Sequence, residues 1–71
     1  MMKDVHTYQI KMEGRVDEDD VNAMSPLRVT VRRRDEAATL LTARTDQAGL
    51  IGLLRHLHGR GDVLLSVARE G

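Results

Sequence analysis

The sequence predicts a small α+β domain, in which a four-stranded, mostly antiparallel sheet carries one main helix on one face. Two observations lead to this fold class. Apolar and polar residues alternate from residue 8 to residue 16, which is typical of a strand with one buried and one solvated face. Residues 46–59 instead space their leucines as an amphipathic helix does. A chain of 71 residues makes one domain, residues 1–71, with a modest core.

The first half of the chain predicts two strands, separated by a segment whose conformation the sequence does not decide. Strand one covers residues 8–16. In residues 17–24, Asp17 can cap a helix, but Pro26 limits its length because the residue before a proline avoids the helical region. This segment is therefore either a helix of at most two turns or a loop. Residues 27–33 alternate again and predict strand two.

The second half predicts a turn, a third strand, the main helix and a closing strand. Residues 34–37 form a polar connection in which Asp35 is a suitable turn residue. Residues 38–44 are rich in residues that favour strands. The main helix covers residues 46–59, and its leucines form one stripe that a sheet must cover. Residues 63–67 form a short, strongly apolar fourth strand.

The segment of residues 17–24 decides between two topologies. If it is helical, the element order is βαββαβ and we expect a ferredoxin-like sandwich. If it is a loop, the order is βββαβ, and we expect the first three strands to form a meander from which the main helix crosses to the fourth. The sequence leaves both orders open.

A run of residues from the start of the main helix to the last strand carries a family resemblance. It reads Thr45-Asp46-Gln47, then Leu50-Ile51-Gly52-Leu53-Leu54, then Gly61, and finally Leu64-Leu65-Ser66-Val67. This C-terminal half resembles an uncharacterised family of small proteins that is common in actinobacteria and cyanobacteria. The resemblance implies the fold and no activity.

The start of the main helix is also similar to a helix start in ACT domains, which are small βαββαβ regulators that bind amino acids at dimer interfaces. Asp46, Gln47 and Gly49 carry this similarity, together with the later Gly61. The resemblance implies that Asp46, Gln47 and Gly49 face a ligand, and hence that the protein is a sensor of a small metabolite.

Charge and composition argue against nucleic-acid binding. Eleven basic and eleven acidic side chains cancel, whereas domains that bind phosphate backbones are usually basic. Tyr8 is the only aromatic residue, so a surface of stacked aromatic side chains is excluded. Nucleic acid is therefore an unlikely partner, but an arginine-rich second strand keeps it as an alternative. Arg28, Arg32 and, at the end of this strand, Arg34 are predicted to share one side, with Arg33 beside them.

The sequence contains no motif for catalysis, a metal or a cofactor. There is no cysteine, and the acidic residues 17–20 lack the glycine and the late glutamate of a calcium-binding EF-hand loop. We therefore expect a protein that is not an enzyme and that uses no cofactor and no metal. The N-terminal segment has no apolar stretch of signal-peptide length, and no apolar run approaches the roughly 20 residues that span a bilayer. The expected location is the cytoplasm.

A protein-interaction module that acts as a homodimer is the function these observations favour. A small core without disulfides often needs a partner. Ala48, Gly49 and Gly52 are predicted on the helix side away from the leucines, where a second backbone could approach. Ala48 and Gly52 on the helix, with Arg28 and Arg32 on the sheet, are therefore candidate interface residues. Metabolite sensing and nucleic-acid binding are the alternatives.

Overall fold

A computed structural model of the chain describes residues 4–70. Residues 1–3, at the start of the N-terminal segment considered above, and residue 71 lie outside the described residues. Four antiparallel strands and one main helix form an α+β domain, which confirms the predicted fold class. In chain order the elements are β1 (His6–Glu13), α1 (Glu18–Asn22), β2 (Thr30–Arg34), β3 (Ala38–Thr45), α2 (Gln47–Gly59) and β4 (Leu64–Arg69).

Strands β1 and β3 form the centre of the sheet, whose strand order is β2-β3-β1-β4. The two central strands pair antiparallel over their whole length, from His6 opposite Thr45 to Glu13 opposite Ala38. Strand β4 pairs antiparallel with the other side of β1, so β3 and β4 run in the same direction with β1 between them. Helix α2 connects these two strands. The segment that the sequence left open contains the short helix α1.

One face of the sheet carries the core, and both helices contribute to it. Ile10 lies opposite Leu41 in the β1–β3 register, so the inward alternation predicted for strand one is confirmed. Helix α1 contributes Val21, and the leucine stripe of α2 packs against the same face. The core side chains are Ile10, Met12, Val16, Val21, Val29, Leu41, Ala43, Leu53 and Leu57. The other face of the sheet, here called the open face, carries the polar side chains of the same strands.

An aspartate caps each helix: Asp17 caps α1, as predicted, and Asp46 caps α2. Asp17 Oδ1 accepts hydrogen bonds from the backbone N–H groups of Asp19 and Asp20, at 2.9 and 3.2 Å. Asp46 Oδ1 accepts one from Gly49 N at 2.8 Å. These bonds satisfy amides that have no partner within the helix. After α2, Gly61 takes the left-handed conformation, with φ of 88°, and turns the chain toward β4.

The end of β1 differs from the prediction. The strand stops at Glu13 rather than at residue 16, because Gly14 has a φ of 81° and redirects the chain. Val16 nevertheless remains buried, with 6% of its surface exposed. The Thr39 hydroxyl holds this turn, accepting from Val16 N at 2.9 Å and donating to Gly14 O at 2.8 Å. A side chain on β3 therefore fixes the path from β1 to α1.

The predicted turn at Asp35 is confirmed. Its Oδ1 accepts hydrogen bonds from Ala37 N at 2.8 Å and from Ala38 N at 2.9 Å. The bonds from Ala38 and Ala37 favour the ionised carboxylate and lower the pKa of Asp35 below its ordinary value of 3.8. The β2–β3 hairpin is thus tied by a charged side chain on its surface.

We expect the Asp35→Asn variant to lose part of the acid sensitivity of the wild type. Because the pKa of Asp35 is lower in the folded than in the unfolded chain, its contribution to stability is present above pH 3.8 and disappears as the pH falls through the folded value. Melting temperatures measured by circular dichroism from neutral pH to about pH 2 test this. Glu36→Gln removes the adjacent carboxylate and is the control. An equal acid-induced loss in Asp35→Asn and the wild type would contradict the prediction.

Candidate functional site

Side chains of helix α1 close the outer edge of β2. Asn22 Nδ2 donates to Val29 O at 3.1 Å, and Asn22 Oδ1 accepts from Val29 N at 2.8 Å, as a neighbouring strand would. Glu18 Oε1 accepts from Val31 N at 2.7 Å. Residues 32–34 of β2 are all arginine, and charges on an edge strand disfavour the addition of another strand. This edge of the sheet is therefore protected.

The opposite edge, β4, presents apolar side chains to solvent. Strand β4 pairs with β1 on one side, and no strand among the described residues pairs with its other side. Val63, Leu65 and Val67 are 50%, 48% and 41% exposed. Arg69, at the end of the strand, is its one charged residue. An apolar edge strand of this kind is a template for pairing with another chain.

A groove of about 400 Å³ opens between α2 and β4 beside this edge. It is lined by Ile51, Leu54, Arg55, His58 and Leu64. Ile51 is 47% exposed, whereas Leu54 and Leu64 pack partly against the core. Leu64 lines the groove and begins β4, so the groove adjoins the strand edge, and the apolar side chains of both are here called the β4 surface. It comprises Ile51, Leu54, Val63, Leu65 and Val67.

A second groove, of about 420 Å³, lies on the open face over β2 and β3. Its polar lining consists of arginine and threonine side chains, and it is here called the arginine groove. Arg32 Nε donates to Thr42 Oγ1 at 3.1 Å. The polar lining residues are Thr7, Arg28, Thr30, Arg32, Thr42 and Arg44. Arg28 and Arg32, predicted as interface residues, are thus neighbours in one groove.

Arg34 does not join this groove, so the prediction that it shares a face with the other arginines of strand two is wrong. The register of β2 shifts between Val31 and Arg33, which inserts an extra residue and moves the following side chain to the other face. Arg34 Nη1 donates to Val16 O at 3.4 Å and lies 4.0 Å from Asp17 Oδ2. Arg33 lines a separate pocket near Lys11 and Asp35.

The residues that resemble an ACT ligand site lie at the first turn of α2, where they have structural contacts. Asp46 caps the helix through Gly49 N, as described above. A Cβ atom on Gly49 would lie 1.9 Å from Thr45 Oγ1, so glycine is needed for Thr45 to pack there. Gln47 is exposed. Capping and close packing account for the Asp-x-x-Gly spacing without a ligand, and metabolite sensing stays a prediction.

The small residues of α2 do not form one free side of the helix, contrary to the prediction. Gly49 lies against Thr45 and one helical turn before the buried Leu53, so it is on the side of α2 that packs against the rest of the domain. Gly52 is half-buried, and a Cβ atom there would be 3.9 Å from Pro26 Cγ. Ala48 is exposed. An interface at Ala48 and Gly52 stays a prediction.

Sequence reasoning missed the exposure of the last strand and four polar members of the arginine groove. Val63, Leu65 and Val67 were predicted only as part of an apolar strand, and an apolar run without alternation indicates burial, so the sequence held no signal of their exposure. Thr7, Thr30, Thr42 and Arg44 had no signal either, because pairing between distant strands brings them to one groove.

Within residues 4–70, no group of three or more histidine or acidic side chains is placed to hold a metal ion. Over the same residues, neither helix has the length and apolar character needed to cross a bilayer. Neither finding identifies a function.

Comparison with known proteins identifies a family. A family model described as "Domain of unknown function (DUF8691)" matches residues 7–68, which include both helices and the whole of β2 and β3. No curated protein and no solved structure matches the chain. The match agrees with the predicted membership of an uncharacterised family.

Proposed function

The chain belongs to the family described as Domain of unknown function (DUF8691), and we propose from its geometry that it is a protein-interaction module that acts as a homodimer through the β4 surface. The difference between the two sheet edges carries this proposal. Asn22 bonds the backbone of Val29 just before β2, Glu18 bonds Val31 N within it, and arginines line the strand. Strand β4 has neither protection. A protein that closes one edge and leaves the other apolar retains the second for association.

The concentration of exposed apolar side chains supports the same site. Of the large hydrophobic residues that are exposed in residues 4–70, four belong to the β4 surface, and Val5 and Met24 lie elsewhere. Exposed apolar side chains are ordinary when scattered, but a cluster beside an unpaired strand marks an interaction site. Pairing β4 with another strand would satisfy its outer backbone groups and cover these side chains together.

The distribution of charge along β4 favours a second copy of the chain as the partner. An antiparallel strand can pair with its own copy across a two-fold axis, which joins the two sheets into one. Residues 64–68 carry no charge, so no like charges meet at the centre of such a pair. Two-fold pairing centred on Ser66 places Arg69 of each copy opposite Val63 of the other, so the charged residues lie outside the apolar centre of the pair. The chain is also neutral overall, so two copies do not repel each other.

We also propose a ferredoxin-like arrangement for the domain and a cytoplasmic location in a bacterium. The element order βαββαβ and the strand order β2-β3-β1-β4, with β1 and β3 central, support the first. The absence of cysteine suits a reducing compartment and supports the second. The resemblance of the C-terminal half to a bacterial family supports the bacterial origin.

Sedimentation equilibrium from micromolar to millimolar concentration tests the homodimer. We expect the wild type to have twice the 8.0 kDa mass of one chain. Leu65→Lys and Val67→Lys are each expected to be monomeric, because the added charge would be buried without a partner in the dimer. Both positions are about half exposed in the single chain, so both variants should fold, which circular dichroism checks.

Met24→Lys is the matched control. Met24 is apolar and 96% exposed, and it lies between α1 and β2, away from β4. This variant gains the same charge and should remain a dimer. A wild type that stays at 8.0 kDa at the highest concentration would refute the dimer. If Leu65→Lys and Val67→Lys stay dimeric and Ala48→Arg dissociates, the contact is on the small residues of α2 instead.

A further inference from the structure

The arginine groove collects three cations on one surface without an acidic residue. Arg28 precedes β2, Arg32 belongs to β2 and Arg44 belongs to β3, yet all three line the same groove. No aspartate or glutamate takes part in the lining. The chain is neutral as a whole, so this local imbalance reflects where the fold places its charges and not an excess of basic residues.

Within residues 4–70, these three arginines form no ion pair, unlike Arg34 and Arg60. Among the described residues, no carboxylate oxygen lies within 4.0 Å of a nitrogen of Arg28, Arg32 or Arg44. Arg34 and Arg60, by contrast, each have a carboxylate partner. Like charges held together raise the energy of the folded chain, and a bound anion removes that cost. The groove is therefore electrostatically complementary to an anion.

The groove is also preorganised for oxyanion recognition. Arg32 donates its Nε–H to Thr42 Oγ1 at 3.1 Å, and Thr42 is only 7% exposed, so one side of this guanidinium group is anchored. The terminal nitrogens of Arg32 can still make paired hydrogen bonds to two oxygens of one anion. The sheet register places Thr30 opposite Thr42 and Thr7 opposite Arg44, which brings further hydroxyl donors to the same place.

We propose that the arginine groove binds a small ligand through a phosphate or diphosphate group. Its volume of about 420 Å³ lies within the size range of small-molecule sites. A long single-stranded nucleic acid would instead need a basic track with aromatic platforms, and Tyr8 is the only aromatic residue in the chain. The groove lies over β2 and β3, away from the β4 edge, so the site does not depend on the proposed dimer.

Isothermal titration calorimetry with inorganic phosphate and with pyrophosphate, at low ionic strength, tests this proposal. We expect saturable binding of one pyrophosphate per chain and a higher melting temperature, because a ligand that binds only the folded state stabilises it. Arg28→Gln and Arg44→Gln should each weaken pyrophosphate binding about tenfold or more, through loss of charged hydrogen bonds. Amide shifts of Thr42 and Arg44 on titration, followed by NMR, should locate the ligand.

Arg33→Gln is the control, because it removes the same charge from β2 but lines a different pocket. Its affinity should stay within about twofold of the wild type. An equal loss in Arg33→Gln would show a general charge effect and overturn the site, as would the absence of saturable binding by either anion. Tighter binding of an oligothymidylate than of pyrophosphate, at matched phosphate concentration, would also overturn the small-ligand proposal.

Discussion

Leu53→Ala is expected to lower the free energy of unfolding by about 2–5 kcal/mol, the range for truncating a buried leucine. Leu53 has no exposed surface and lies in the middle of α2, within the core. The truncation removes apolar contacts and leaves a cavity that rigid neighbours fill only in part. Small domains have total stabilities near the low end of about 5–15 kcal/mol, so the variant should be close to unfolding at room temperature. Urea denaturation followed by circular dichroism measures the difference.

Ile51→Ala is the matched control on the same helix. Ile51 is 47% exposed, so its truncation removes less buried surface and should cost about 1 kcal/mol or less in a dilute, monomeric sample. At higher concentration the same variant should weaken the proposed dimer, because Ile51 belongs to the β4 surface. Equal losses of stability for Leu53→Ala and Ile51→Ala in dilute solution would contradict the buried side assigned to α2.

Thr39→Val is expected to cost about 1–3 kcal/mol for each backbone group that it leaves without a partner. The Thr39 hydroxyl accepts from Val16 N and donates to Gly14 O, and Thr39 itself has no exposed surface. Valine has nearly the same shape but offers neither bond, so two polar groups next to the core lose their partner. Urea denaturation gives the change in stability, and faster hydrogen exchange at the Val16 amide should accompany it.

Thr39→Ser separates the hydroxyl from the methyl group. Serine retains the oxygen that bonds to Val16 and Gly14, so only a methyl group is lost, at a cost of about 0.5–1.5 kcal/mol. Thr42→Val is a second comparison, because the Thr42 hydroxyl lies on the open face and accepts a hydrogen bond from the Arg32 side chain and not from the backbone. If Thr39→Val proves as stable as Thr39→Ser, the turn from β1 to α1 does not depend on this hydroxyl.

The two proposed sites lie toward opposite edges of the sheet. The β4 surface lies at one edge, and the arginine groove lies over β2 and β3 toward the other. Two-fold pairing of β4 would place the open faces of both copies side by side in one continuous sheet, with a groove near each outer end. A dimer would therefore leave both grooves accessible, and the failure of one proposal would not remove the other.

The sequence by itself determined the four strands, the main helix and most of the side chains that fill the core, and it left α1 open. The alternation of β1 predicts that Ile10 and Met12 point inward, and the leucine spacing of α2 predicts the same for Leu53 and Leu57. Each pattern is periodic within one element, and burial against any apolar surface stabilises an element with that pattern. The caps at the start of each helix are equally local, because an aspartate bonds to amides two or three residues later.

Only the tertiary structure decided which side chains meet and which remain exposed. The register shift in β2 depends on its pairing with β3, and this shift moved Arg34 away from Arg32. The order of the strands placed β4 at an edge, which leaves Val67 partly exposed although its sequence resembles that of a buried strand. Pairing between distant segments and the choice of edge strand are set by the whole chain, because local periodicity favours burial without specifying the neighbour.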